Sequence, residues 1–225
     1  MTERIIVSAD ELDEKALLAL ASALGPRIYA VKVHDRYDAL GPSIVGELKD
    51  AGAKRVWMDA KLHDIPNTAR VRAKAFSENG IDIITVHASG GVEMMRAAKE
   101  GAGSAEVYAV TVLTSLDEAT SERIYNRPVK EEVLTLAKLA KEAGVDGVVC
   151  SPQEVGLLAN DPALKGLKFV IPGTRSPAAD THDQKRVTTP KEAVDAGATF
   201  LVIGRQITTA QDPVAALDAL ESELS

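Results

Sequence analysis

Arg55-Val-Trp-Met-Asp-Ala-Lys-Leu-His-Asp-Ile-Pro-Asn-Thr68 reads as a strand running into the start of a helix. Arg55–Ala60 is the short, nearly continuous apolar run expected of a strand covered on both faces. Asp59, Lys61 and Asp64 gather at its downstream end. A helix begins near Pro66, with Asp64 placed to cap it. The same strand–helix unit recurs to both sides. Further candidate strands are Ile5–Ala9, Ile28–Val33, Ile83–Val86, Val107–Leu113, Gly147–Cys150, Lys168–Ile171 and Phe200–Ile203. Between them, Glu11–Leu24 sets Leu12, Leu17, Leu18, Leu20 and Leu24 along one side. Val129–Gly144 repeats Val133, Leu134, Leu136 and Leu139 at helical spacing and stops at a glycine. Thr189-Pro190 and Asp212-Pro213 open two more helices.

Eight strands and about eight helices in 225 residues leave roughly 28 residues per unit, the size of one βα unit. No Pro/Gly/Ser-rich linker divides the chain and no fixed-period repeat runs through it. These features predict the α/β class and a single (β/α)8 TIM barrel spanning residues 1–225. A doubly wound open sheet is the rival, but no G-x-G-x-x-G follows the first strand. The polar segment Ser115–Arg127 reads as a loop or short helix over the barrel mouth.

Lys and Arg number 26 against 33 Asp and Glu, a net charge of −7 that argues against nucleic-acid or anionic-membrane partners. Aromatics at 4% are too few for base-stacking platforms. No apolar run approaches the ~20 residues that span a bilayer. Ile5-Ile6-Val7 is too short for the core of a signal peptide. The lone Cys150 cannot form an internal disulfide, which favours a reducing, cytoplasmic setting.

Active sites of such barrels lie at the C-terminal ends of the strands. Those ends carry Asp10; Lys32 and His34; Asp59, Lys61 and Asp64; His87 and Ser89; Thr114 and Ser115; Ser151; Gly173, Thr174 and Arg175; and Gly204, Arg205 and Gln206. Lys32 interrupts an apolar run, where a lysine is costly to bury unless paired. Asp59 and Lys61, two apart, share a strand face, and Lys32 on the neighbouring strand brings a third charge to them. Gly173 and Gly204 follow the seventh and eighth strands, where backbone N–H groups bind phosphate in many barrels. Arg205 adds a fork of donors, and Arg175 and Gln184 lie on a stretch, Thr174–Thr189, that could close as a lid.

Ordinary roles compete with each of these. Lys32 could snorkel to the rim, Asp59 and Lys61 could form a structural ion pair, Asp64 could merely cap the helix near Pro66, and Asn67 and Thr68 could be first-turn residues. Gly204-Arg205 could be a turn bearing a surface arginine. Cys150 and Trp57 read as packing, His63 receives no chemical role, and His182 reads as a solvated loop residue. His34 and His87 lack metal-cage spacing, so no metal site is expected.

The full string Asp59-x-Lys61-x-x-Asp64-Ile-Pro-Asn-Thr68 is far more specific than its parts. With Ser8-Ala-Asp10, Val31-Lys-Val33, Thr111–Ser115, Pro172–Arg175, Asp183–Arg186 and Ile203–Ile207 in order, the chain resembles the orotidine 5′-monophosphate decarboxylases of bacteria and archaea along essentially its whole length. The resemblance implies a stand-alone, cytoplasmic, homodimeric lyase. Such an enzyme converts orotidine 5′-monophosphate to uridine 5′-monophosphate and CO2, the last step of de novo pyrimidine synthesis, without metal or cofactor. It implies a catalytic network of Lys32, Asp59, Lys61 and Asp64, with Asp64 and Thr68 contributed across the dimer interface. It assigns Asp10 and Asp64 to the ribose hydroxyls, Lys32 to the ribose and to Asp59, and Thr114, where other members use serine, to the pyrimidine amide edge. Arg175, Gln184, Gly204 and Arg205 fall at the phosphate. Mg2+-dependent sugar-phosphate decarboxylases and aldolases share the D-x-K-x-x-D core but carry glutamate where Lys32 stands, so Lys32 and Ile65–Thr68 favour the nucleotide enzyme. A non-catalytic barrel that binds a phosphorylated ligand is the remaining alternative; four alternating charges suit it poorly.

Overall fold

A computed structural model describes residues 2–176 and 188–225. Its strands are β1 (Ile5–Ser8), β2 (Ala30–Val33), β3 (Val56–Leu62), β4 (Ile83–His87), β5 (Glu106–Val110), β6 (Gly147–Val149), β7 (Lys168–Pro172) and β8 (Phe200–Ile203). Each pairs in parallel with the next, and β8 returns to β1, so the sheet closes as a barrel in sequence order. The chain is therefore a (β/α)8 TIM barrel. Helices fill the crossovers, as parallel strands require.

Local chemistry moves several boundaries. The first helix is Glu14–Leu24, not Glu11–Leu24, because the Asp13 carboxylate accepts the Ala16 N–H and sets the cap there. β5 stops at Val110 instead of Leu113, and Val112 and Leu113 face the barrel mouth. β3 runs longer than expected, to Leu62. Segment 115–127 contains a short helix, Glu118–Tyr125, capped by Asp117 and ended by Asn126 at φ 56°. Thr189 and Glu192 form a reciprocal capping box around Pro190, and Asp212 caps Pro213–Leu224. Gln184 and His182 lie outside the described residues.

Alternation along each strand sorts the core into two shells. Ile5, Val7, Val31, Val33, Met58, Ile84, Val86, Val107 and Ala109 point outward against the helices. Ile6, Ala30, Trp57, Ile83, Tyr108, Val170, Phe200 and Val202 fill the barrel interior. Trp57 meets Tyr108 edge-on at 5.5 Å, and Tyr29 stacks on Phe200 at 3.9 Å. Below this plug, Glu106 accepts from Tyr29 at 3.0 Å, from Lys168 at 2.7 Å, from Arg55 at 3.1 Å and from Tyr108. The lower end of the barrel is thus packed and its charge paired.

Chemistry is left for the upper end. A side chain two residues beyond an inward apolar one points inward again, one layer higher. That rule carries Ile6 to Ser8, Ala30 to Lys32, Trp57 to Asp59, Ile83 to Thr85 and Tyr108 to Val110. No helix among the described residues is long and apolar enough to cross a membrane.

Candidate active site

Four charged side chains, on or just beyond three adjacent strands, alternate in sign across the barrel mouth. The Lys32 ammonium lies 2.6 Å from Asp10 Oδ2 and 3.1 Å from Asp59 Oδ2. Lys61 Nζ lies 2.7 Å from the same Asp59 oxygen. The order is Asp10–Lys32–Asp59–Lys61, with zero net charge, which makes the burial tolerable. Lys32 and Asp59 are only 6% and 8% exposed. Lys61 is more open to the cavity.

β3 bends to deliver Lys61. From Met58 to Leu62, β3 uses four residues where β4 uses two, Ile84 to Val86. Within this bulge Lys61 takes φ 46°, a left-handed conformation that costs a non-glycine residue roughly 1–3 kcal/mol. Simple alternation would have put Asp59 and Lys61 side by side on a regular strand. They meet, but through a strained bulge that turns the ammonium back over the carboxylate.

Burial alone would raise the Asp59 carboxyl. The cationic heads of Lys32 and Lys61, with hydrogen bonds from Lys61 and Thr85, hold it below the usual carboxylate range. Burial alone would lower the Lys32 ammonium, but the Asp59 and Asp10 carboxylates outweigh it and raise the pKa. Both groups are charged at neutral pH. His87, at the end of β4, is pushed down by burial and by His63 and Lys61, so it is a neutral imidazole.

A cavity of about 550 Å³ opens on this network. Ser8, Asp10, Lys32, Trp57, Asp59 and Lys61 form one wall, and Val110, Val112, Val149 and Val202 supply an apolar one. Gly173, Arg175, Gly204 and Arg205 line the side made by β7 and β8. Gly173 takes φ 81°, open to glycine without strain. Gln206 donates to Ser176 Oγ at 2.6 Å, tying the loop after β7 to the segment after β8 and keeping the two arginines on one rim. Asp10 Oδ1 is buried and accepts no hydrogen bond from the described residues.

Thr114 lines the same cavity. Two expected residues do not: Asp64 is exposed and accepts the Ile65 N–H at 2.7 Å, and Thr68 lies in the first turn of the helix Pro66–Glu78. Beside Asp64, Ile65 is 66% exposed, and Val71 on the same helix is 51% exposed. Three further residues of the site have roles that the sequence does not announce. Ser8 donates to Asp10 Oδ2 at 2.7 Å, and Thr85 donates to Asp59 Oδ1 at 2.8 Å. Trp57, expected only to pack, also donates its indole N–H to Thr85 at 2.7 Å. A serine and a threonine at inward strand positions, two residues past Ile6 and Ile83, were the available signal.

Fold and site together define a barrel enzyme whose ionised groups stand at the strand C-termini, facing a pocket with a basic rim. Residues 3–220 match the orotidine 5′-phosphate decarboxylase / HUMPS family, and the chain belongs to that family. A relative named orotidine 5′-phosphate decarboxylase from Pseudoalteromonas translucida is 44% identical over 223 residues, covering 96% of this chain and 94% of its own. Another of that name from Streptococcus pneumoniae is 48% identical over 192 residues, covering 83% and 81%. The crystal structure of orotidine 5′-phosphate decarboxylase from Lactobacillus acidophilus superposes with a TM-score of 0.83 at 38% identity, covering 98% of each chain.

Proposed function

We propose that residues 1–225 act as one domain that decarboxylates orotidine 5′-monophosphate to uridine 5′-monophosphate, the closing step of de novo pyrimidine synthesis. The observation that carries this is the buried Asp10–Lys32–Asp59–Lys61 chain beside a rim holding Arg175 and Arg205. The rim takes the phosphate: Arg205 and Arg175 offer forks of donors, and the backbone at Gly204 can approach an anion closely. Gln184 joins them. Asp10, whose Oδ1 has no hydrogen-bond partner among the described residues, takes a ribose hydroxyl, and Lys32 contacts the ribose while holding Asp59 ionised. Thr114 meets the amide edge of the pyrimidine.

With the nucleotide so anchored, its carboxylate at C6 comes up against Asp59. Two like charges repel, and the repulsion falls as CO2 departs. The bond from C6 to the carboxyl carbon breaks and its electron pair stays on C6. The Lys61 ammonium stabilises that charge and then gives C6 a proton, after which the neutral amine is recharged from solvent. The valine wall excludes water and strengthens every one of these interactions. The residues of this chain supply the electrostatics, so no metal or organic cofactor is required.

The site is completed in a homodimer. Asp64 and Thr68 reach the partner's pocket, Asp64 to a ribose hydroxyl and the Lys61 side of the network. The exposure of Ile65 and Val71 beside them supports a surface covered by a second copy. A reducing, cytoplasmic setting suits the single buried, unpaired Cys150.

Ultraviolet absorbance during incubation with orotidine 5′-monophosphate tests the proposal, with and without exhaustive EDTA treatment. Conversion to uridine 5′-monophosphate, undiminished by EDTA, is expected. Loss in EDTA with restoration by Mg2+ would point to the sugar-phosphate relatives instead.

A further inference from the structure

β4 reads Ile83-Ile-Thr-Val-His87, and Thr85 in its middle is wholly buried. Valine has the same shape, and an apolar side chain would match both neighbours at lower desolvation cost. The hydroxyl instead has two partners. It receives the Trp57 indole N–H at 2.7 Å and lies 2.8 Å from Asp59 Oδ1. An indole N–H only donates. Thr85 Oγ1 is therefore the acceptor toward Trp57, and its one proton goes to Asp59. The relay Trp57→Thr85→Asp59 has a fixed direction and needs Asp59 as an acceptor.

The two oxygens of Asp59 are used unequally. Lys61 and Lys32 both engage Oδ2, at 2.7 and 3.1 Å. Among the described residues, Thr85 supplies the hydrogen bond to Oδ1. Without it, the carboxylate is held at one oxygen and free to turn about its Cβ–Cγ bond. Lys61 stands on a strained backbone in the β3 bulge and takes its position from that carboxylate.

We propose that Thr85 is a positioning residue for the decarboxylation: anchored by Trp57, it fixes the plane of the Asp59 carboxylate and through it the place of the Lys61 ammonium. This rests on the decarboxylase activity proposed above. A purely structural Thr85 would satisfy the buried indole and nothing more, so its loss would lower stability without a selective effect on turnover. A positioning Thr85 acts on the chemical step, because the phosphate and ribose contacts lie on other strands.

The test compares wild type, Thr85→Val and Thr85→Ser as purified full-length protein. It measures kcat and KM for orotidine 5′-monophosphate, affinity for uridine 5′-monophosphate, and thermal unfolding. Misplacing a catalytic group by about 1 Å can cost on the order of 100-fold in rate. Thr85→Val is expected to lower kcat by about 10- to 100-fold while KM and product affinity stay within about threefold. Thr85→Ser, which restores the donor, should return kcat to within about threefold of wild type. Unchanged kcat in folded Thr85→Val, or no rescue by serine, overturns the proposal. If Thr85→Val does not fold, Trp57→Phe decides, since it keeps the ring and removes only the anchor. A several-fold loss of kcat at unchanged product affinity supports the relay, and wild-type kcat overturns it. A wild type that leaves the nucleotide unconverted would instead refute the activity itself, and the proposal with it.

Discussion

Lys61 carries the heaviest chemical assignment at the residue scale. Its ammonium is more open to the cavity than that of Lys32 and touches Asp59 directly. Lys61→Ala is expected to reduce turnover below about a hundredth of wild type, since removal of a single acid–base group typically costs 10²–10⁴-fold. Nucleotide binding should survive, because the proposed phosphate contacts, Arg175, Gly204 and Arg205, lie beyond β7 and β8. Isothermal titration with uridine 5′-monophosphate beside the absorbance assay checks both halves. Retention of a tenth of wild-type turnover would remove Lys61 from its role. Arg205 is tested by substrate truncation. Arg205→Ala should depress kcat/KM strongly for the nucleotide and little for orotidine, which lacks the phosphate. Remote binding energy can be used in the chemical step, so kcat as well as KM should fall. Equal losses on both substrates would leave Arg205 a structural role only.

At the scale of elements, the two barrel ends divide the work, and the lower end can be tested apart from the chemistry. Burial alone would raise the Glu106 carboxyl, but hydrogen bonds from Lys168 and Tyr108 hold it below its ordinary value. A carboxylate whose pKa is depressed on folding stabilises the fold above its unfolded pKa. That contribution is lost as pH falls through the folded value. Glu106→Gln should therefore be less stable than wild type at pH 7 by roughly 1–3 kcal/mol. The deficit in thermal midpoint, about 2–4 °C per kcal/mol at this chain length, should narrow as pH drops below about 4. A deficit that is the same at pH 7 and at acid pH would mean the charge of Glu106 contributes nothing.

These elements also divide what the sequence makes legible from what it hides. All eight strands are visible as Val- and Ile-rich runs because a parallel barrel buries both faces. Lys32 and Asp59 stand out because charges are rare in such runs. Thr85 stays hidden: threonine is an ordinary strand residue, and only the inward register from Ile83 reveals its direction. The Lys61 bulge is invisible for a related reason, since lysine is not a residue that announces a left-handed backbone. The end of β5 is misplaced because Val112 and Leu113 are apolar for the cavity, not for pairing.

At the scale of the whole molecule, one chain holds Asp10, Lys32, Asp59 and Lys61 together and leaves Asp64 exposed on a surface with Ile65 and Val71. In the proposed function, decarboxylation occurs in a pocket built by two copies, Lys61 acting in its own chain and Asp64 in its partner's. Mixing Lys61→Ala and Asp64→Ala proteins, each expected to be nearly inactive as a homodimer, tests this two-copy pocket. After subunit exchange, verified by native mass spectrometry, each heterodimer has one complete site, made from Lys61 of one chain and Asp64 of the other. Its second site lacks both residues. Random reassortment makes about half the dimers hybrid, so activity is predicted to recover to about one quarter of wild type. Hybrids that form while activity stays at the level of the separate variants would contradict the claim.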